Sequence, residues 1–114
     1  MGKKTTRLMM TTETGFHPQV IEKRLGIISA ECVSGVSMFK DIFSSVTDAL
    51  GGRSRSTQGI LRAAQDQVLD ELSEEARMLG ANAVIAVDLD FSEISGGGKS
   101  MLFVVATGTA AIVR

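Results

Sequence analysis

The final β-prone segment of the chain, Met101–Val113, constrains the fold more than any other feature. Its alternating positions form two sets that would face opposite sides of a sheet. One set is Met101, Phe103, Val105, Thr107, Thr109, Ala111 and Val113, and the other is Leu102, Val104, Ala106, Gly108, Ala110 and Ile112. An antiparallel strand with one face in water should alternate apolar and polar residues, whereas both sets here are apolar or small. Both faces of this strand must therefore be covered.

The length of the chain limits what can do the covering. A chain of 114 residues is long enough for one domain with one core. A two-layer domain covers one sheet face with helix and has little chain left for the other face. We therefore predict a single domain over residues 1–114, whose second sheet face is covered by copies of itself in a homo-oligomer. The alternative is that a helix at residues 38–50 of the same chain folds over that face.

Hydrophobic periodicity predicts a two-layer α+β fold. Spacings of three and four predict helices at Met38–Leu50 and Thr57–Leu79, and Gly80 is placed as the C-terminal cap of the second. Period-two patterns predict four strands, of which the last two form a hairpin through Gly96-Gly97-Gly98. The predicted strands are Leu8–Thr12, Val20–Ser34, Ala83–Glu93 and Met101–Val113.

The same periodicities assign faces to three of these elements. The second strand has a small, apolar face that can lie close to a helix, formed by Gly26, Ile28, Ala30 and Cys32. The long helix has one apolar stripe, formed by Leu61, Ala64, Val68, Leu72, Ala76 and Leu79. Regular alternation in the third strand predicts a wholly apolar face of Ile85, Val87, Leu89 and Phe91, and an opposite face of Val84, Ala86, Asp88 and Asp90.

Composition excludes several classes of function. The 12 basic and 13 acidic residues nearly balance, so nothing attracts the whole molecule to nucleic acid or to an anionic membrane. No segment is long and apolar enough for a membrane span or a signal peptide. The single cysteine, Cys32, cannot form an intrachain disulfide and fits a reducing compartment. We therefore expect a cytoplasmic protein without a nucleic-acid or membrane partner.

Several short motifs, in order along nearly the whole chain, resemble the YbjQ-like family, whose members are labelled "putative heavy-metal-binding" proteins. These motifs are Thr11-Thr12-Glu13, Asp41-Ile42-Phe43, Gly51-Gly52-Arg53-Ser54, the segment ARMLGANAVIAV at Ala76–Val87, Asp88-Leu89-Asp90, and Gly108-Thr109-Ala110. The resemblance implies a dodecin-like β-α-β-β unit with a three-stranded antiparallel sheet. It also implies a ring of subunits, a homopentamer. It carries no established activity and no residue motif for a metal.

One segment departs from the family pattern. Relatives usually carry an aromatic residue and a glutamate shortly after the Gly-Gly-Arg-Ser turn, where this chain has Ser56-Thr57-Gln58. Any ligand contact that those two groups make in relatives is therefore in doubt here.

Metal-binding residues of the usual kind are scarce. A zinc site needs three or four ligands in recognisable pairs, and this chain has one cysteine and one histidine, Cys32 and His17. We expect Cys32 to be a small buried strand residue and His17 an exposed turn residue. Asp88 and Asp90 are the better metal candidates, because they lie two apart on a strand with side chains about 7 Å apart on one face. The alternative is a solvated strand end that discourages edge pairing.

A second candidate site is an anion site just before the long helix. It would consist of Gly52, Arg53, Ser54, Arg55, Ser56 and Thr57. Free N–H groups and the dipole at a helix N-terminus favour anions, and arginine recognises phosphate or carboxylate. The alternative is an ordinary connection in which Ser56 or Thr57 caps the helix.

No catalytic constellation is complete in the sequence. We therefore expect a non-enzymatic homo-oligomeric module that binds a small anion or a metal ion at subunit boundaries. One alternative is an enzyme that uses Asp88 and Asp90 as acid and base with groups from a neighbouring subunit. Another is a structural ring that binds a different protein.

Overall fold

A computed structural model of the chain describes residues 6–15, 18–35, 54–96 and 99–114. These residues form four strands and one helix in the order β1, β2, α1, β3 and β4. Their bounds are β1 Met9–Met10, β2 Ile21–Gly35, α1 Ser54–Met78, β3 Ala83–Gly96 and β4 Lys99–Val113. The predicted helix at Met38–Leu50 lies outside the described residues. Within them, no helix has both the length and the apolar character that crossing a membrane requires.

The helix α1 confirms the predicted element, with two changes at its N-terminal end. It begins at Ser54, three residues earlier than predicted. The stripe of Ala64, Val68, Leu72 and Ala76 is fully buried. At the next position towards the N-terminus the buried residue is Ile60, whereas Leu61 is exposed, as is Leu79 at the other end. The stripe predicted from Leu61 to Leu79 is therefore correct in its middle and wrong at both ends.

The C-terminus of α1 ends on a glycine cap, as predicted. Gly80 has a φ of 88°, which a residue with a side chain rarely adopts. Its N–H donates to the carbonyl of Arg77 at 2.9 Å, and the N–H of Ala81 donates to the carbonyl of Ala76 at 3.0 Å. This pair of bonds is the Schellman motif, which gives donor partners to carbonyls that the helix leaves without them. It turns the chain directly into β3.

The four strands form one sheet in the order β1-β3-β4-β2. β2 and β3 both pair with β4 in antiparallel orientation. β1 runs parallel to β3 through Met9↔Ala83 and Met10↔Val84. The sheet therefore has one strand more than the three-stranded antiparallel sheet that the resemblance implied. A two-residue parallel strand adds a fourth member, because the chain before β2 lies along the start of β3.

The core lies between α1 and one face of the sheet. Of the face predicted for β2, Ile28, Ala30 and Cys32 are buried in it, whereas Gly26 is exposed beside an irregularity in the β2–β4 register. From β4 it takes Leu102, Val104, Ala106 and Ala110, which are one of the two predicted alternating sets. Small residues on the sheet let the helix lie close, so this face is dry without help from another molecule.

The sheet face opposite α1, here called the outer face, is not uniform. At one end Ala83, Ile85 and Ala111 are buried. Towards the β3–β4 hairpin, exposed and half-buried apolar side chains form what we call the outer patch: Val33, Ile94, Met101, Phe103 and Val105. The predicted second apolar set of β4 is thus present, and in the described structure part of it meets solvent.

Candidate functional site

A β-bulge in β3 decides where the candidate carboxylates lie. The register between β3 and β4 shifts between Ile85 and Asp88, so Ala86 and Val87 together oppose Gly108. Ala86 has a φ of 55°, the left-handed conformation that a bulge of this kind requires of its first residue. A Cβ on Gly108 would lie 2.7 Å from Val84 Cγ1 and 3.5 Å from Val87 Cγ2. Both valines therefore lie on the α1 side of Gly108, although they are three positions apart.

The bulge overturns part of the predicted face assignment for β3. Regular alternation put Ile85 with Val87 and Leu89, and put Val84 with Asp88 and Asp90. In the structure Ile85 pairs with Thr109 on the outer face, whereas Val84 and Val87 belong to the core. The extra residue keeps two valines in the core and turns both aspartates away from it. No glycine marks the bulge position, so no local sequence signal predicts it.

The segment Arg7–Glu13 holds the bulge in place from the edge of the sheet. The N–H of Ala86 donates to the carbonyl of Glu13 at 2.7 Å, and the N–H of Val87 donates to the carbonyl of Thr11 at 3.0 Å. In return, the N–H of Thr11 donates to the carbonyl of Val84 at 3.0 Å. The backbone groups that the bulge removes from the β3–β4 ladder are thereby satisfied.

Asp88 and Asp90 share the outer face, and both are exposed. Asp88 pairs with Thr107, and Asp90 pairs with Val105. On the other side of β4, Glu31 also pairs with Val105, so a third carboxylate lies two strands from Asp90, roughly 10 Å away by sheet geometry. Neither aspartate makes an ion pair within the described residues. The two side chains are available to a cation or to another subunit.

One chain alone does not assemble a metal centre in the part that the structure describes. Over residues 6–15, 18–35, 54–96 and 99–114, no three cysteine, histidine or acidic side chains converge closely enough to hold an ion. Cys32 is only 5% exposed and lies in the core, on the sheet face opposite to the aspartates. His17 lies outside the described residues. A thiolate cannot therefore join Asp88 and Asp90 without unfolding the core.

The predicted anion site lies partly inside α1. Gly52 and Arg53 are outside the described residues, whereas Ser54, Arg55, Ser56 and Thr57 form the first turn of the helix rather than a loop before it. That turn contains no acidic residue. Its backbone N–H groups have no acceptor within the helix, as at every helix start. The described anion candidates thus lie on α1, and the two aspartates lie on β3.

Comparison with known proteins gives consistent matches over nearly the whole chain. A family model described as "putative heavy-metal-binding" matches residues 8–114. A UPF0145 protein of Pasteurella multocida is 39% identical over 107 residues, which cover 94% of this chain and 99% of that protein. A UPF0145 protein of Actinobacillus pleuropneumoniae serotype 5b is 41% identical over 107 residues with the same coverage.

A solved structure supports the fold. It is a protein of unknown function from Pediococcus pentosaceus that belongs to the DUF74 family. It superposes with a TM-score of 0.62 at 17% identity, over 94% of this chain and 98% of that one. At this identity the likeness concerns the fold alone.

Proposed function

This chain belongs to the YbjQ-like family of UPF0145 proteins, and from that premise we propose that it is a non-enzymatic, homo-oligomeric module that binds a small ion at its subunit boundaries. One observation carries the proposal: in the part of the chain that the structure describes, the outer face holds an exposed apolar patch beside two aspartates that make no ion pair. A surface that needs a partner thus lies next to groups that could bind an ion at the contact.

The outer patch supports assembly with copies of the same chain. Its members include Ile94, Met101 and Val105, which remain 58%, 41% and 37% exposed although they lie within long strands. Contiguous exposed apolar surface on a soluble domain commonly marks an interface. A second copy offers a patch of the same composition, and closed rings are a common solution for identical subunits. The family resemblance implies a dodecin-like ring of five subunits.

Asp88 and Asp90 are the ion ligands in this proposal. They provide oxygen atoms, which suit a hard divalent cation such as Mn²⁺ or Ca²⁺ better than a soft one. One chain provides too few converging ligands, so carboxylates of another subunit complete the coordination. Because the thiol of Cys32 is in the core, the family description fits this chain through carboxylates and not through sulfur.

Calorimetric titration of Mn²⁺ into the protein, purified without an affinity tag, tests the metal assignment. We expect saturable binding that weakens at least tenfold in Asp88→Asn and in Asp90→Asn. Glu75→Gln is the matched control, because Glu75 is exposed on α1 and the substitution removes the same charge away from the aspartates. Equal binding by Asp88→Asn and Glu75→Gln would show that the aspartates are not ligands.

The first turn of α1 favours a second candidate, an anion such as phosphate. Ser54–Thr57 combine free backbone N–H groups, hydroxyl-bearing residues and Arg55 at a helix start that contains no acidic residue. Millimolar inorganic phosphate should then raise the melting temperature, and Arg53→Ala with Arg55→Ala should abolish the rise. Arg62→Ala, on the exposed surface two turns further along, should keep it. A rise that survives loss of Arg53 and Arg55 would exclude this site.

A further inference from the structure

A cavity of about 420 Å³ lies between the segment Arg7–Glu13, α1 and β3. We call it the N-terminal cavity. Its apolar walls are Leu8, Met10, Leu69, Val87 and Leu89. It lies on the α1 side of the sheet, whereas Asp88 and Asp90 lie on the outer face, so it is separate from the ion site proposed above.

The cavity accounts for most of the incomplete burial in the core. Among the residues that the structure describes, five apolar side chains pack against the core while only partly buried: Leu8, Met10, Leu25, Leu69 and Leu89. Four of these five line the N-terminal cavity. Other helix-facing core residues, including Val68, Leu72 and Val104, are fully buried. The partly exposed apolar side chains at the edge of the core are thus concentrated at the N-terminal cavity.

The segment Arg7–Glu13 is anchored on both sides of the cavity. At one end the Arg7 side chain bonds Asp70 Oδ1 through Nε at 2.9 Å and Nη2 at 2.8 Å, and the N–H of Leu8 donates to Ser73 Oγ at 2.9 Å. At the other end Thr11 exchanges backbone bonds with Val84 and Val87. The cavity is therefore preformed by fixed contacts, which lowers the ordering cost of binding.

The electrostatics of the lining select an uncharged ligand. Among the described residues that line it, Arg7 alone is charged, and its guanidinium faces Asp70 and, at 3.8 Å, Asp66. Three uncharged polar side chains also line it: Thr11, Thr12 and Gln65. Thr11 Oγ1 accepts from the N–H of Glu13, and Thr12 is exposed. The amide of half-buried Gln65 makes no side-chain hydrogen bond in the described structure, so we assign recognition to it. Small-molecule sites commonly combine apolar walls with a few such polar groups, in volumes of roughly 300–1,000 Å³.

We propose that the N-terminal cavity binds a small uncharged molecule that is apolar over most of its surface and carries one hydrogen-bonding group, the chemistry of a simple phenol. The apolar part contacts Leu8, Leu69 and Leu89, and the polar group bonds the amide of Gln65.

Titration of 4-methylphenol into methyl-labelled protein, followed by NMR, tests the location. The expected result is saturable shifts of the methyl signals of Leu8, Leu69, Val87 and Leu89. The methyl signals of Val33 and Val105 on the outer patch should stay unchanged. Shifts that are absent, do not saturate, or are largest on the outer patch would overturn the proposal.

Two matched pairs of variants test the contacts. Leu69→Trp should fill the cavity and remove binding, whereas Leu61→Trp, on the exposed side of α1, should not.

Gln65→Leu should weaken 4-methylphenol binding about fivefold, the effect of one hydrogen bond, and leave toluene binding unchanged. Gln67→Leu, an exposed glutamine of the same helix, should change neither ligand. The glutamine pair retains the cavity walls, so equal effects of Gln65→Leu and Gln67→Leu would refute the assigned contact even if Leu69→Trp failed to fold.

Discussion

The two faces of β4 have nearly the same composition and different surroundings. On the α1 side Val104 is 0% exposed, whereas its chain neighbour Val105, on the outer face, is 37% exposed. The difference arises from what covers each face and not from the residue type, because α1 covers the first face, whereas within the described residues the outer patch stays exposed. Apolar composition therefore shows that a face needs cover, and the tertiary structure shows that on one face the chain's own helix α1 provides it.

Charge introduced on each face should give the largest contrast. Val104→Asp buries a carboxylate without a partner and should cost more than about 4 kcal/mol, enough to abolish a cooperative melting transition. Val105→Asp should leave a folded circular dichroism spectrum and instead reduce the particle mass. Similar melting curves for the two variants would mean that the faces are equally buried, contrary to the contrast between them.

Small substitutions at neighbouring positions on the two faces should give a smaller contrast. Gly108→Ala places a Cβ 2.7 Å from Val84 Cγ1 and 3.3 Å from the carbonyl oxygen of Ile85, so it should destabilise the fold by about 1–3 kcal/mol. Thr107→Ala, at the adjacent outer-face position, should change the unfolding free energy by less than about 0.5 kcal/mol. Urea unfolding of both variants measures the difference, and a neutral Gly108→Ala would show that Gly108 and the bulge of β3 are not closely packed.

Relief of strain at the bulge that separates the faces should give the smallest effect. Ala86 pays about 1–2 kcal/mol for its left-handed conformation, and glycine would remove that cost while adding about 0.5–1 kcal/mol of chain entropy. Ala86→Gly should therefore stabilise the fold by about 0.5–1 kcal/mol in urea unfolding. Ala83 lies in the same strand and has no positive φ, so Ala83→Gly should destabilise the fold. Changes in unfolding free energy of the same sign in both variants would argue against the bulge.

Elements with repeated local signals could be predicted from the sequence. The middle of α1, its glycine cap and both faces of β4 follow from periodicity and from the requirements of a helix end. The face assignment of β3 could not be predicted, because counting by two assumes a regular strand and Ala86 carries no mark of a bulge. The parallel pairing of β1 was also hidden, since two residues contain no period.

The candidate site was predictable only in part. The sequence placed Asp88 and Asp90 on a common face, and the structure agrees. It could not show that this face is also the one with the outer patch, because that depends on the bulge. The N-terminal cavity was not foreseen, since it forms where residues more than fifty positions apart, such as Arg7 and Asp70, meet in space.

The particle mass in solution tests the central claim, that copies of this chain cover the outer patch. Light scattering at low micromolar concentration should return one species at a multiple of the 12.1 kDa subunit, about 60 kDa for five copies. A stable, monodisperse particle of 12.1 kDa would contradict the claim.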